Sequence, residues 1–249
     1  GVSRLMGRTR MEERYLLTSG ASAGLAAAFN APLAGVIFAL EELHRNFSIM
    51  VLLPSMAAAF TATIISRAIF GRATIFDIPD LQLLPIGYYG IVILVALASG
   101  LAGVIFNWGL LNIGRFYSLP CFKRPVQKIA FALICAGILG YFLPEVLGGG
   151  NNLINHLAKA PVSLQLLLLF LAGKLIFTLI SYGCGVPGGF FLPMLVIGAL
   201  CGSICAQILI MFGWIEPAYA TNIMVVAMAA LFASSVRAPI TGTVLIMEM

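Results

Sequence analysis

Ser22–Glu42 reads SAGLAAAFNAPLAGVIFALEE, and it lies largely within an uncharged run, Tyr15–Leu40. About 20 apolar residues are enough for one membrane-crossing helix. Asn30-Ala31-Pro32 interrupts this run, and proline either stops a helix or opens a new one. The stretch therefore predicts a re-entrant pair: a helix to about Phe29, a break, and a short helix from Pro32 to about Leu40. At about 1.5 Å per residue the second piece reaches roughly half the bilayer. A break at membrane depth is tolerated only where protein or a water-filled cavity satisfies the freed backbone groups.

The same pattern recurs near the other end of the sequence. Ala229–Met249, AALFASSVRAPITGTVLIMEM, aligns with Ser22–Glu42 without gaps. Ala23, Ala26, Ala31, Pro32, Gly35 and Glu41 meet Ala230, Ala233, Ala238, Pro239, Gly242 and Glu248. Paired, proline-interrupted apolar segments point to a repeat-built transporter and its binding site. The alignment does not say whether the repeats are inverted.

Composition extends this reading to the whole chain. Of 249 residues, 61% are hydrophobic and 9% charged, with a mean hydropathy of +1.06. A soluble domain carries about 25% charged residues, so the fold class expected is all-α integral membrane, with no soluble domain visible in these residues. Uncharged runs at Asn46–Ser66, Leu81–Gly114, Ile129–Pro144, Ala160–Gly173, Leu175–Ile215 and Pro217–Val236 supply the spans. Leu175–Ile215 has room for two elements, and Ala238–Met247 is too short for one crossing. The net charge of +5 reads as cytoplasmic loop charge and not as a nucleic-acid footprint.

Loop charge orients the spans. Arg4, Arg8, Arg10 and Arg14 outnumber Glu12 and Glu13, and Arg115, Lys123, Arg124 and Lys128 form the most basic loop. With His44–Arg45 these breaks belong on the cytoplasmic side, and the Asp77/Asp80 loop, with only Arg72, belongs outside. Tyr15–Leu40 would then begin and end on one side, as a re-entrant pair must. The opening at Gly1 without an initiator methionine, and the ending at Met249 inside an apolar run, lead us to expect a piece of a longer chain.

Two segments could carry chemistry. Gly183–Pro193, GCGVPGGFFLP, interrupts an apolar stretch, and a helix restarts near Phe191 or Leu192. A helix start offers amide donors and the positive end of the dipole. Gly188 and Gly189 let an ion approach the backbone, and Pro193 suits a first turn. No Lys or Arg lies between Leu175 and Ile215, so partial charges would hold an anion there loosely enough for release. The alternative is a Pro/Gly kink that packs helices closely. The second segment is Glu41-Glu42, at the wrong end of the short helix for its dipole. Neighbours on a helix point about 100° apart, so we read Glu41 as structural, bonded to backbone or an Arg, and Glu42 as the acid available to a proton. The alternative has both solvated beside Arg45.

Other residues read blandly. Gly148–Asn152 is a turn, and Lys174 an interfacial lysine that snorkels. Trp108 and Trp214 are interfacial or core aromatics. Cys121, Cys135, Cys184, Cys201 and Cys205 lack metal-ligand spacing, and His44 and His156 lie far apart. We expect no metal and no cofactor. No phosphate loop, metal helix or nucleophile with a nearby His is present, so an enzyme is not expected.

At these residues the chain resembles the CLC family of chloride channels and chloride/proton exchangers. Gly24–Glu42 resembles the family segment that ends in paired acids. Gly185–Pro193 resembles the family's Gly-x-Phe-x-Pro motif, with Gly189, Phe191 and Pro193 in the defining places. Ser234–Gly242 and Gly148–Ile154 also look like family segments, in the right order. The resemblance implies inverted repeats with partly spanning helices, with about residues 1–114 ending the first repeat and 115–249 forming most of the second. It implies a homodimer in the cell (inner) membrane, one anion pathway per subunit, and chloride coordinated by backbone N–H groups of Phe190 and Phe191. It implies that Glu42 is the internal proton-transfer glutamate, which is typical of exchangers and commonly apolar in pure channels. The partners expected are chloride, protons and lipid, with no nucleic acid. The family's external gating glutamate and filter serine would precede Gly1, and its central tyrosine would follow Met249. A passive channel and a non-transporting scaffold remain the alternatives.

Overall fold

The structure is a computed structural model that describes residues 7, 9–71, 76, 78, 81–122, 124–159 and 162–249. Arg4, Arg8, Arg72, Asp77, Asp80 and Lys123, which entered the orientation above, lie outside the described residues. Among the described residues the regular structure is helical throughout, without strands. The α-helices are α1 Arg10–Phe29, α2 Pro32–Phe38, α3 Ile49–Phe70, α4 Tyr89–Phe116, α5 Pro125–Phe142, α6 Asn151–Lys159, α7 Leu164–Gly183, α8 Phe191–Met211, α9 Ala220–Val236 and α10 Pro239–Glu248. Among the described residues, six segments are long and apolar enough to cross a membrane: Ile49–Phe70, Ile86–Phe116, Pro125–Phe142, Leu164–Gly183, Phe191–Met211 and Pro217–Val236. The chain is a multi-pass integral membrane protein of all-α class. It folds as two compact units, Gly1–Ile75 with Val236–Met249, and Phe76–Ser235.

In the first unit α1 starts on a capping box. Glu12 N–H donates to Thr9 Oγ1, and the Glu12 carboxylate accepts from Thr9 N–H at 2.9 Å. The helix ends at Asn30, whose φ of 53° is left-handed, a conformation that Asn tolerates better than most residues. The break is not left bare. Asn30 Oδ1 accepts from Arg67 Nε at 2.7 Å, and Ala27 C=O accepts from Ser66 Oγ at 3.4 Å. The backbone of α2 lies hard against α1, since a Cβ at Gly35 would come within 2.6 Å of Ser22 C=O. The short helix does not stop near Leu40, as expected from sequence. It continues as a π-helical turn, Ala39–His44, closed by Arg45 at φ 52°. The wider turn carries both acids beyond the α-helical register, and such turns mark functional sites more often than chance.

The repeat is present in the backbone. Arg237 takes φ 63° where Asn30 takes 53°, and the next residues are nearly superimposable. Ala31 has φ −123° and ψ 81°, and Ala238 has φ −124° and ψ 77°. Each alanine carbonyl then accepts from the repeat glycine, Gly35 at 3.1 Å and Gly242 at 3.0 Å.

In the second unit α8 is the most enclosed span, and it crosses α9 at small residues. A Cβ at Gly198 would stand 2.8 Å from Met228 Cα, and one at Gly202 would stand 2.6 Å from Met224 Cα. Gly198-Ala-Leu-Cys-Gly202 is the small-xxx-small spacing that lets membrane helices touch backbone to backbone, a signal available in the sequence and not read there. Backbone cannot yield as a flexible side chain can, so Gly202→Ala is expected to destabilise the fold by about 1–3 kcal/mol. Thermal denaturation in detergent measures this, and an unchanged midpoint would refute the crossing.

Two expectations are corrected in this unit. Ala160–Gly173 and Leu175–Ile215 do not meet at a break: Lys174 lies inside α7, whose last turns belong to the second run. Nor does Lys174 snorkel. It is 1% exposed, and its Nζ donates to Val146 C=O at 2.9 Å and Gly148 C=O at 2.8 Å. The carbonyls of the glycine loop take the place of water, so the ammonium stays inside.

Candidate functional site

The break between α7 and α8 falls at Cys184–Phe190, and α8 begins at Phe191. Its first intrahelical bond runs from Met194 N–H to Phe190 C=O at 3.0 Å, which sets the positive end of the dipole at Phe190–Leu192. Pro193 sits in the first turn, where its missing N–H costs least. The aromatic rings lie beside this start. Phe190 and Phe191 stack at 5.1 Å, Tyr182 meets Phe190 edge-on at 5.6 Å, and Phe191 packs against Phe232 at 5.6 Å.

Gly188 and Gly189 are exposed. A Cβ at Gly189 would meet nothing within 4 Å, and one at Gly188 only Val186 C=O at 3.9 Å. Close helix packing, the other reading of this motif, requires neighbours at those positions, and the described residues supply none. The tight glycine is Gly183 instead, whose Cβ position lies 2.7 Å from the Tyr117 ring.

Tyr117 was not singled out from sequence. Its hydroxyl donates to Ile180 C=O at 2.9 Å in the last turn of α7. Burial, with smaller contributions from Cys184 and Cys135, pushes its phenol up to about 12, so it remains a neutral donor. It fastens the chain just before the break. Beyond the break, a Cβ at Gly149 would press on Leu192 at 2.6 Å and one at Gly150 on Val196 at 2.7 Å. Gly148 and Gly150 take φ of 65° and 89°, which favours glycine. The loop read as a bland turn thus packs on the start of α8, and Lys174 holds it there. The available signal was a lone lysine in an apolar run.

In the first unit the two acids separate, as their spacing suggested. Glu41 accepts from Ile240 N–H at 3.1 Å, Thr241 N–H at 2.7 Å and Thr241 Oγ1 at 2.8 Å. A carboxylate unfavourable at the end of its own helix lies at the favourable end of α10. Its repeat partner mirrors it, for Glu248 accepts from Leu33 N–H at 3.1 Å and Ala34 N–H at 2.7 Å at the start of α2. The C-terminal end of each short helix meets the N-terminal end of the other, so α2 and α10 are antiparallel and this part of the repeat is inverted. Among the described residues Glu42 has no such helix-start partner. It lies 3.6 Å from Arg45, with its side chain 27% exposed, neither sealed in protein nor fully solvated. His44 stacks near Tyr15, with ring centroids 5.6 Å apart.

Comparison with known proteins agrees along the whole length. The chain is 37% identical over 243 residues to the H(+)/Cl(-) exchange transporter ClcA of Vibrio vulnificus (strain YJ016), covering 94% of this chain and 51% of that protein. The corresponding transporter of Salmonella agona (strain SL483) is 37% identical over 253 residues, 97% of this chain and 52% of the relative. The chain therefore spans about half the length of these relatives. Among solved structures, a slow cyanobacterial Cl-/H+ antiporter superposes with a TM-score of 0.85 at 30% identity, over 99% of this chain and 59% of that one. A CLC-type fluoride/proton antiporter gives 0.76 at 26% identity, over 98% and 64%. The family model described as voltage gated chloride channel matches residues 1–249, and the chain belongs to that family.

Proposed function

We propose that this chain is part of a chloride/proton exchanger in which the start of α8 binds the anion and Glu42 transfers the proton. The observation that carries the reading is the interrupted span, with a helix start at Phe190–Phe191 beside the uncrowded Gly188 and Gly189. Amide donors and a dipole end favour an anion, and partial charges of this kind hold it loosely enough for release. Relatives named as H(+)/Cl(-) exchange transporters support the same substrates. Exchange is preferred over passive conduction because Glu42 keeps an acid at the position that resembles the family's proton-transfer glutamate, which is commonly apolar in pure channels. No cofactor enters this scheme.

Bromide soaked into crystals of the full-length protein tests the anion site. Anomalous density within hydrogen-bonding reach of the Phe190 and Phe191 amides is expected, and density only elsewhere would reject it. The assembly proposed is a homodimer with one pathway in each subunit. It is supported by the resemblance to the family. Photobleaching of single labelled complexes in bilayers is expected to occur in two steps, and one step would reject it.

A further inference from the structure

α2 and its π turn form a short rod with a carboxylate fastened at each end. At the start Glu248 takes the N–H groups of Leu33 and Ala34, and at the far end Glu41 reaches the first turn of α10. Five donors converge on two carboxylates, and each carboxylate takes two successive backbone N–H groups at the start of the other short helix. A charge-assisted bond to a helix start is short and directional. Two of them at opposite ends prevent the rod from sliding along α10, where one alone would leave a pivot.

The consequence concerns the next residue in the chain. Glu42 follows Glu41 in the π turn, and its own neighbour Arg45 is exposed at 3.6 Å and holds it weakly. Glu41 ties the turn to the first turn of α10. We propose that Glu41 and Glu248 are positioning residues for Glu42, which together lock α2 and α10 as one antiparallel pair and fix the turn that presents Glu42. The proposal rests on the reading of Glu42 as the proton-transferring acid. Glu41 and Glu248 carry no proton in it; they act through backbone position alone.

The test uses the full-length protein in liposomes and two readouts. The first is the proton-to-chloride ratio from reversal potentials, which does not depend on how much active protein is present. Glu248→Ala and Glu41→Ala are each expected to lower it, although Glu248 is far from Glu42 in sequence. Glu41→Gln and Glu248→Gln keep one acceptor oxygen and are expected to fall between alanine and wild type. If the alanine variants fail to fold, the glutamine pair gives the same reading at smaller amplitude. The second readout is the rate at which a water-soluble thiol reagent modifies a Glu42→Cys variant. Removing either carboxylate in that background is expected to raise this rate about tenfold, as a closed local equilibrium opens. An unchanged modification rate in both alanine variants overturns the clamp. A faster rate with an unchanged ratio supports the clamp and removes the proton role of Glu42 instead, so the two failures are told apart.

Discussion

Replacing Glu42 by glutamine is expected to abolish proton uptake driven by a chloride gradient in liposomes, while anion flux remains measurable. Glutamine keeps the shape and one acceptor oxygen but cannot exchange a proton at neutral pH. A positioned acid or base contributes about 100-fold or more to proton transfer, so the loss should be of at least that order. The variant should fold, because Glu42 is partly exposed and its contact with Arg45 is a surface pair worth about 0–1 kcal/mol. Proton uptake equal to wild type would end the proposed role, and a reversal potential that ignores pH in the unmodified protein would favour a passive channel.

The second large effect is expected at Lys174. Lys174→Met keeps length and apolar volume but removes the donors to Val146 and Gly148. Two opposing terms decide the sign. The buried ammonium no longer has to be kept out of water, which is a gain. Against this, two carbonyls lose charge-assisted bonds worth about 1.5–3 kcal/mol each and find no new donor. The second term wins, because methionine supplies nothing in return, and a net destabilisation on the order of 3 kcal/mol is expected. It should appear as a lower melting midpoint in detergent. Weakened bromide binding should accompany it, since the loop that Lys174 holds packs on Leu192 and Val196 at the start of α8. A midpoint and bromide occupancy equal to wild type would show that the loop holds itself.

The contrast between these residues explains what was legible in the sequence. Proline and glycine act locally, so the breaks at Asn30-Ala31-Pro32 and Gly185–Phe190 could be located from composition alone, and α8 starts where it was expected to start. The structural character of Glu41 was legible too, because a repeat exposed its partner Glu248. Its target was not, since which amides a carboxylate reaches depends on how α2 and α10 pack. Lys174 was misread for the same reason. A single charge in an apolar run is compatible with an interface or with a buried acceptor set, and the acceptors here come from a loop 26 to 28 positions earlier. The π turn was invisible, since ALEELH carries no residue that forbids an ordinary helix.

The paired short helices also constrain how the protein is made. Leu33 emerges from the ribosome 215 residues before Glu248, so the first half-helix enters the bilayer with its leading amides served only by water or lipid headgroups. Insertion must therefore leave α2 near a wet surface until Glu248 has been made. On that schedule the first unit is completed late, and a nascent chain arrested ahead of Glu248 should remain open to quality-control proteases.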